Sequence, residues 1–470
     1  MLPTPRNYSI LPAVVPANQE TLMTVVPNEK AFLLFENETY TVTIIPVNGD
    51  EISYYQPTIQ VTVEAVAHDG VLRFPYTFEG EQEHAVILRY GEKELQKMAV
   101  FSAEADLYAL HPLKGDLHSH SYRSDGKRDP SAEAGHYREQ GYDFFALTDH
   151  NRFFPGGEID ETFADVETGF IRIRGEEVHT PGSVVHIVHV GGQKSVTEQY
   201  CSNREQYEKD VAEKEKQVPA NVPEQFRNRY AMAMWATEKI HEAGGLAIFV
   251  HPYWRPGKSM VYNVTDEFAR ILMMSGMFDA YELVGGMGQP GNNRSIALWG
   301  ELRLEGCKLS VVGSSDVHGM EKSSTFPHLF TIAFAEDASH DAIVDAIRKG
   351  NTVAVEATGN EYDRHFRCYG SLRLVTYAQF LLQHYFPEHQ RLCHGEGVAM
   401  RAYAMEDCFG VLVEMQRVLI NNHANRFFGR TEPLLPSKAM IDFENKWREV
   451  QLNGPVTKGS SIDPPVTRQI

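Results

Sequence analysis

Residues 143–151 read DFFALTDHN, an apolar run of strand length that ends in threonine, aspartate, histidine and asparagine. A strand buried on both faces reads as a continuous hydrophobic run, and packing gives it no reason to end on an imidazole beside a carboxylate. The same form recurs outward along the chain. LKGDL (113–117) runs into His118-Ser119-His120 and on to Ser124-Asp125-Gly126. FIRIR (170–174) runs into Gly175-Glu176-Glu177, and LSVVG (309–313) into Ser314-Ser315-Asp316-Val317-His318. LAIFV (246–250) meets His251-Pro252 at once, while VVHIVHV (184–190) carries His186 and His189 within it. DAYELV (279–284) completes seven candidate strands.

Helical patterns separate several of these runs. PSAEAGHYREQG (130–141) opens on proline and closes on glycine, and 224–243 ends at Gly244-Gly245. Alternating strands and helices close most readily into a barrel whose site lies at the C-terminal ends of the strands. An HxH pair such as His118/His120 is weak alone, because 20 histidines in 470 residues yield about one by chance. The consistent register is the informative part. Imidazoles and carboxylates gathered at one barrel mouth are unfavourable unless cations compensate them, so residues 111–320 read as a site for two or three metal ions serving a hydrolytic reaction.

On either side of this stretch the rhythm changes. Residues 1–110 hold short runs rich in β-branched and aromatic residues, TVTIIPV (41–47), TIQVTVEAVA (58–67), VLRFPYTF (71–78) and HAVILRY (84–90), punctuated by turn residues. They read as a small β-sandwich-like domain. Residues 111–358 form the barrel, including HLFTIAF (328–334) and NTVAVEA (351–357) around a helix at 340–350. Residues 359–470 read as a mostly helical extension with a poorly ordered tail from 454. The charged segment 202–222 reads as an inserted solvated helix with a loop.

Composition narrows the function classes. Hydrophobic residues make up 42% of the chain, ample for cores, and 44 basic against 63 acidic residues give a formal charge of −19. Such a surface does not hold a nucleic-acid backbone by general electrostatics. Five cysteines without a CxxC pair fit a reducing compartment. No run approaches the ~20 apolar residues of a membrane span, so the expectation is a cytoplasmic protein acting on a small molecule, with no membrane partner and its oligomeric state left open.

In order, DLHSHS with SDG (116–126), TDH (148–150), GEE (175–177), HP (251–252) and SDVH (315–318) resemble the motif set of the PHP (polymerase and histidinol phosphatase) family. The resemblance covers roughly half the chain. It implies an α/β fold, a distorted (β/α)7 barrel of PHP type, in line with the seven strands. It also implies nine metal ligands: His118, His120, Asp125, His150, Glu177, His186, His251, Asp316 and His318. An aspartate at 125, where many members have histidine, resembles the branch with two firmly held ions and leaves a third open. His189 shares a strand with His186, and three residues apart only one of them can point inward. The TDHN form with an N-terminal β-rich domain resembles a subgroup containing carbamate and ester hydrolases.

On this reading two ions about 3.5 Å apart share a hydroxide. Glu177 bridges them, since a carboxylate spans two ions where an imidazole usually does not, and Asp316 and His251 join it as catalytic groups. Mixed imidazole and carboxylate ligation suits Mn2+, Fe2+ or Zn2+. Asp116 and Asp149 are expected to orient ligand histidines by hydrogen bonds, and Glu282 to serve as a structural hydrogen-bonding group. Arg255 and Arg152 are candidate anion-binding residues, and Trp254 a candidate pocket wall. The expected activity is that of a metal-dependent phosphoesterase. The alternatives are a carbamate, ester or amide hydrolase and, from another class, a non-catalytic metal-binding interaction module.

Overall fold

The computed structural model describes residues 6–49, 59–255, 259–319, 323–360, 363–406 and 408–453. The tail from 454, expected to be poorly ordered, lies outside them. The chain divides into two units, Met1–Tyr108 with Asn422–Ile470, and Ala109–Asn421.

In the first unit the strands follow one another in space as Tyr8–Leu11, Glu20–Pro27, Val71–Thr77, Val61–His68, Thr39–Pro46, Gln82–Tyr90, Lys93–Ala103 and Val14–Pro16. Val61–His68 pairs with Thr39–Pro46 over its first six residues and with Val71–Thr77 over its last two, so it passes from one half of the ladder to the other. Both halves feed one core, Met23, Val25 and Phe74 from one side and Val42, Leu88 and Val100 from the other.

The second unit carries the mixed sheet that positions the site. Its strands are β1 (His111–Asp116), β2 (Phe144–Leu147), β3 (Ile171–Val178), β4 (Ile187–Val190), β5 (Leu246–Phe249), β6 (Ala280–Val284) and β7 (Ser310–Gly313), followed by β8 (Leu329–Ala335), β9 (Thr352–Asn360) and β10 (Asp363–Tyr369). All seven expected strands are present. Their spatial order is β7-β6-β5-β4-β3-β2-β1-β8-β9-β10. β1, β2 and β3 run parallel, as do β5, β6 and β7, but β4 runs against both its neighbours. The reason is the connection: residues 179–186 are too few for a parallel crossover, which needs a dozen or more. β10 lies in a stretch expected to be mostly helical; helices begin after it, at Leu372–His384 and Phe386–Glu406.

The ladder curls until β7 meets β8 and β9 through threonine hydroxyls. Thr331 Oγ1 donates to the Gly313 carbonyl at 2.8 Å and accepts from its N–H at 3.0 Å. Thr352 Oγ1 donates to the Val311 carbonyl at 2.8 Å. Glycine is required at 313, because a Cβ there would stand 2.5 Å from the Phe330 carbonyl oxygen.

Side chains alternate across the barrel-like wall. Leu246, Ile248 and Val250 join an inner core with Phe144, Ala146, Val188 and Val312, while Ala247 and Phe249 face outward to Tyr230, Trp235 and Ile240 of the helix Glu224–Glu242. The helix His340–Lys349 adds Ile343, Val344 and Ile347 to the inner core and plugs the end where β5 begins. Ser339 caps its N-terminus and Gly350, at φ 73°, ends it. The histidines therefore gather at the opposite end, where the parallel strands stop. The charged insertion forms the helix Arg204–Glu215, which buries Tyr207 and Val211 and sets Tyr207 edge-on to Trp235, 4.8 Å between ring centroids. Among the described residues no helix is long and apolar enough to cross a membrane.

Candidate metal centre

Glu176 and Glu177 are adjacent on β3, so their side chains leave opposite faces of the sheet. Glu177 is fully buried at the barrel end, and its two oxygens face different imidazoles. Oε2 lies 3.3 Å from His118 Nε2, 3.5 Å from His120 Nε2 and 2.8 Å from His150 Nδ1. Oε1 lies 2.9 Å from His179 Nε2, 3.0 Å from His186 Nδ1 and 3.0 Å from His251 Nε2. Asp316 Oδ1 adds a second carboxylate on the Oε2 side, 3.3 Å from His118 Nε2 and 3.1 Å from His120 Nε2. Further out, Asp125 Oδ1 stands 3.4 Å from His150 Nε2 and 3.3 Å from His318 Nε2. The structure thus brings all nine sequence-derived ligand residues together.

These donors fit divalent cations. Two atoms sharing an ion at about 2.0–2.1 Å lie roughly 3.0–3.4 Å from one another, the range of most of these separations. His118 Nε2, His150 Nδ1, His179 Nε2, His186 Nδ1 and Glu177 Oε2 are buried and make no directional hydrogen bond despite these short approaches. Buried polar atoms are ordinarily satisfied, and atoms that crowd without bonding aim at a common point instead. The donors fall into four overlapping sets: His118/His120/Glu177/Asp316, Glu177/His186/His251, His120/Asp125/His150/His318 and His150/Glu177/His179.

The carboxylates and imidazoles also hold one another charged. Burial pushes Glu177 and Asp316 up, but the surrounding imidazoles, His118 foremost, outweigh it and hold both carboxyls below the usual range. Burial likewise pushes His118 down, and Asp316, Glu177 and Glu282 reverse it.

The supporting groups divide differently from expectation. Glu282 orients the imidazole, accepting from His118 Nδ1 at 2.9 Å and so presenting Nε2 to the site; it also accepts from the His251 N–H at 3.3 Å. Asp116, expected to orient a ligand histidine by hydrogen bonding, holds His118 through its peptide and not its ring. It accepts from the N–H groups of His118 and Ser315, each at 3.1 Å, and from the Tyr137 hydroxyl at 2.9 Å. Burial pushes it up to about 6. Asp149 does the same for the loop after His120, accepting from the Ser121 N–H at 2.8 Å and from the hydroxyls of Ser121 and Ser124. Asn151, His251 and Asp316 hold left-handed backbone, at φ 53°, 27° and 51°. Such strain, on the order of 1–3 kcal/mol per residue, persists where surrounding structure imposes it.

Alternation resolves the histidines of the β4 region. His186 faces Glu177, whereas His189 Nδ1 lies 3.3 Å from Glu176 on the other side. Glu176 also accepts from Ser195 Oγ at 2.9 Å and Val196 N–H at 2.6 Å, which anchors the start of the helix Thr197–Ser202. Of the two arginines, Arg255 donates to the Tyr262 hydroxyl at 3.1 Å with its guanidinium 4.7 Å from that ring centroid, and Arg152 is exposed. Trp254 borders the cluster, its ring 5.9 Å from His186 and 6.1 Å from His251. His179 was not among the residues expected at the site. The signal was its position two residues beyond Glu177, which in extended chain puts both on one side.

No family model and no curated protein matches the chain. Among solved structures it is similar to a two-domain protein from Bacteroides vulgatus containing a predicted PHP-like metal-dependent phosphoesterase, at 19% identity and a TM-score of 0.37 over 52% of this chain. The match spans 65% of that protein, just under two thirds of its length. A second similarity is to an amidohydrolase from Chromobacterium violaceum with bound sulfate and no metal, at 18% identity and a TM-score of 0.30, covering 45% of this chain and 89% of the other. The donor geometry around Glu177 fits a site for divalent metal ions.

Proposed function

We propose that the chain is a metal-dependent hydrolase of small phosphoesters, working at the cluster around Glu177. The observation that carries this reading is the division of one buried carboxylate between two groups of imidazoles, His118, His120 and His150 on Oε2 and His179, His186 and His251 on Oε1. His118, His120, Glu177 and Asp316 would hold one ion, Glu177, His186 and His251 another, and Asp125, His150 and His318 a third. When bound, divalent ions supply Lewis acidity toward the scissile bond and lower the pKa of water.

The chain's own groups do the rest. Glu282 fixes the ring of His118 so that Nε2 faces Glu177 and Asp316. Asp116 ties the β1 and β7 ends together through the peptides of His118 and Ser315, which keeps His118, His120 and Asp316 in register. At the rim, the methylene stem of Lys127 lies against Gly319, next to His318. The phosphoester reading rests on the ions, not on Arg255, which is engaged by Tyr262. A second reading, a carboxylic ester, carbamate or amide hydrolase, is favoured by the indole wall of Trp254 against His186 and His251.

A hydrolysis screen on metal-loaded protein decides between them, using phosphate monoesters, phosphodiesters and carboxylic esters, with His118→Ala and Asp316→Ala as controls. Turnover of a phosphoester that both variants abolish is the expected result. Turnover of carboxylic esters alone replaces the first reading by the second. Full activity in both variants places the chemistry elsewhere.

A further inference from the structure

The motif ligands leave one donor over. His179 Nε2 lies 2.9 Å from Glu177 Oε1, buried and without a directional hydrogen bond, although the His179 side chain as a whole is 27% exposed. Its ring stacks on His186 at 3.7 Å between centroids and stands 4.6 Å from the His150 ring, so it occupies the gap between the two imidazole groups. The peptide that carries it is clamped. The His179 N–H donates to Asn151 Oδ1 at 2.9 Å, and the Tyr200 hydroxyl donates to the same oxygen at 2.6 Å. Tyr200 is buried on the helix Thr197–Ser202, the element anchored by Glu176. An exposed surface histidine has no need of such a mount.

His150 connects this residue to the rest. Its Nδ1 faces Glu177 at 2.8 Å and its Nε2 faces Asp125 at 3.4 Å. A neutral imidazole has a single lone pair, so His150 binds a cation on one side or the other. On the Asp125 side its companions are His120 and His318; on the Glu177 side the companion is His179.

We infer that His150, Glu177 and His179 form a further cation position, an alternative to the one built on Asp125, in which His179 is a direct ligand. The position takes the same borderline cations as the rest of the cluster, because two imidazoles and one carboxylate suit Mn2+, Fe2+ or Zn2+. This rests on the metal-centre reading above and deepens it. Asn151 and Tyr200 act as positioning residues, holding the His179 peptide so that Nε2 reaches Glu177.

The test is metal binding by the full chain. Chelator-stripped protein is titrated with Mn2+, free ion being followed by electron paramagnetic resonance, for wild type, His179→Ala, Asp125→Ala and Tyr200→Phe. We expect His179→Ala to weaken one class of sites roughly tenfold or more, Asp125→Ala to keep that class, and Tyr200→Phe to weaken it less than His179→Ala. A wild-type titration curve for His179→Ala overturns the inference while leaving the metal centre intact; wild-type protein that binds no Mn2+ defeats the metal-centre reading itself. Should His179→Ala fold poorly, anomalous diffraction from Mn2+-soaked wild-type crystals settles the matter. Density between His150 Nδ1 and His179 Nε2 supports the position, and density confined to the other sets overturns it.

Discussion

His118 shows how far a ligand depends on a residue remote in sequence. Its Nδ1 donates to Glu282, 164 positions away, and without that partner the ring is free to turn or change tautomer. Glu282→Gln removes the charge that fixes the N–H and is predicted to weaken metal binding about 10–100-fold, measured by titration of stripped protein. An unchanged affinity would assign Glu282 to packing alone. Most of the candidate donors were legible in the sequence, because they follow an apolar run in strand register; Asp125 lies in the loop beyond His120, and His186 stands just before β4. The partner of His118 was not, since linear order does not say which acid stands behind which ring. His179 was missed, although it is the second residue after Glu177 in the sequence. The hydrogen bonds from the His179 N–H and the Tyr200 hydroxyl to Asn151 Oδ1 join residues 28 and 49 positions apart, which linear order does not show.

At the level of elements, the seam between β7 and β8 closes the barrel-like sheet through one hydroxyl. Thr331 serves both the N–H and the carbonyl of Gly313. Thr331→Val keeps the shape and leaves two buried backbone groups unsatisfied, a predicted loss of about 2–4 kcal/mol, read from denaturant unfolding. A loss below about 0.5 kcal/mol would show that the seam is held by packing instead. Strand positions were readable from hydrophobic runs, and β1 to β7 all form where expected. The reversed direction of β4 does not show in the run itself; it follows from the eight residues 179–186, too short to cross back. β10 escaped because DRHFRCY has charged residues between its apolar ones, and its pairing with β9 rather than its composition makes it a strand.

Over the whole molecule, the clearest long-range brace within the second unit is a buried ionic group beneath the helix Phe386–Glu406. Arg138 bonds Glu396 at 2.6 Å and Asp143 at 3.1 Å, and His389 bonds Asp143 at 2.7 Å. Close approach of this helix to Pro130–Glu139 is permitted by Gly397, where a Cβ would stand 2.5 Å from the Gly135 carbonyl oxygen. Arg138→Ala leaves Glu396 buried without its cation and is predicted to cost about 3–5 kcal/mol, seen as a lower unfolding midpoint of the full chain; a loss under about 1 kcal/mol would contradict the brace. The sequence marked this region as helical but gave no sign that it is ionically tied to the barrel, because the charges pair across more than 240 residues.

The account stands on Glu177 as the carboxylate shared by two groups of imidazoles. Its most direct test is metal content by mass spectrometry for wild type and Glu177→Ala, each reloaded under the same conditions after stripping. The account predicts about two or more equivalents per chain in wild type and loss from both sides of the cluster in the variant, since one substitution removes a donor from each. Equal metal content in the two proteins, or no retained metal in wild type, would contradict it.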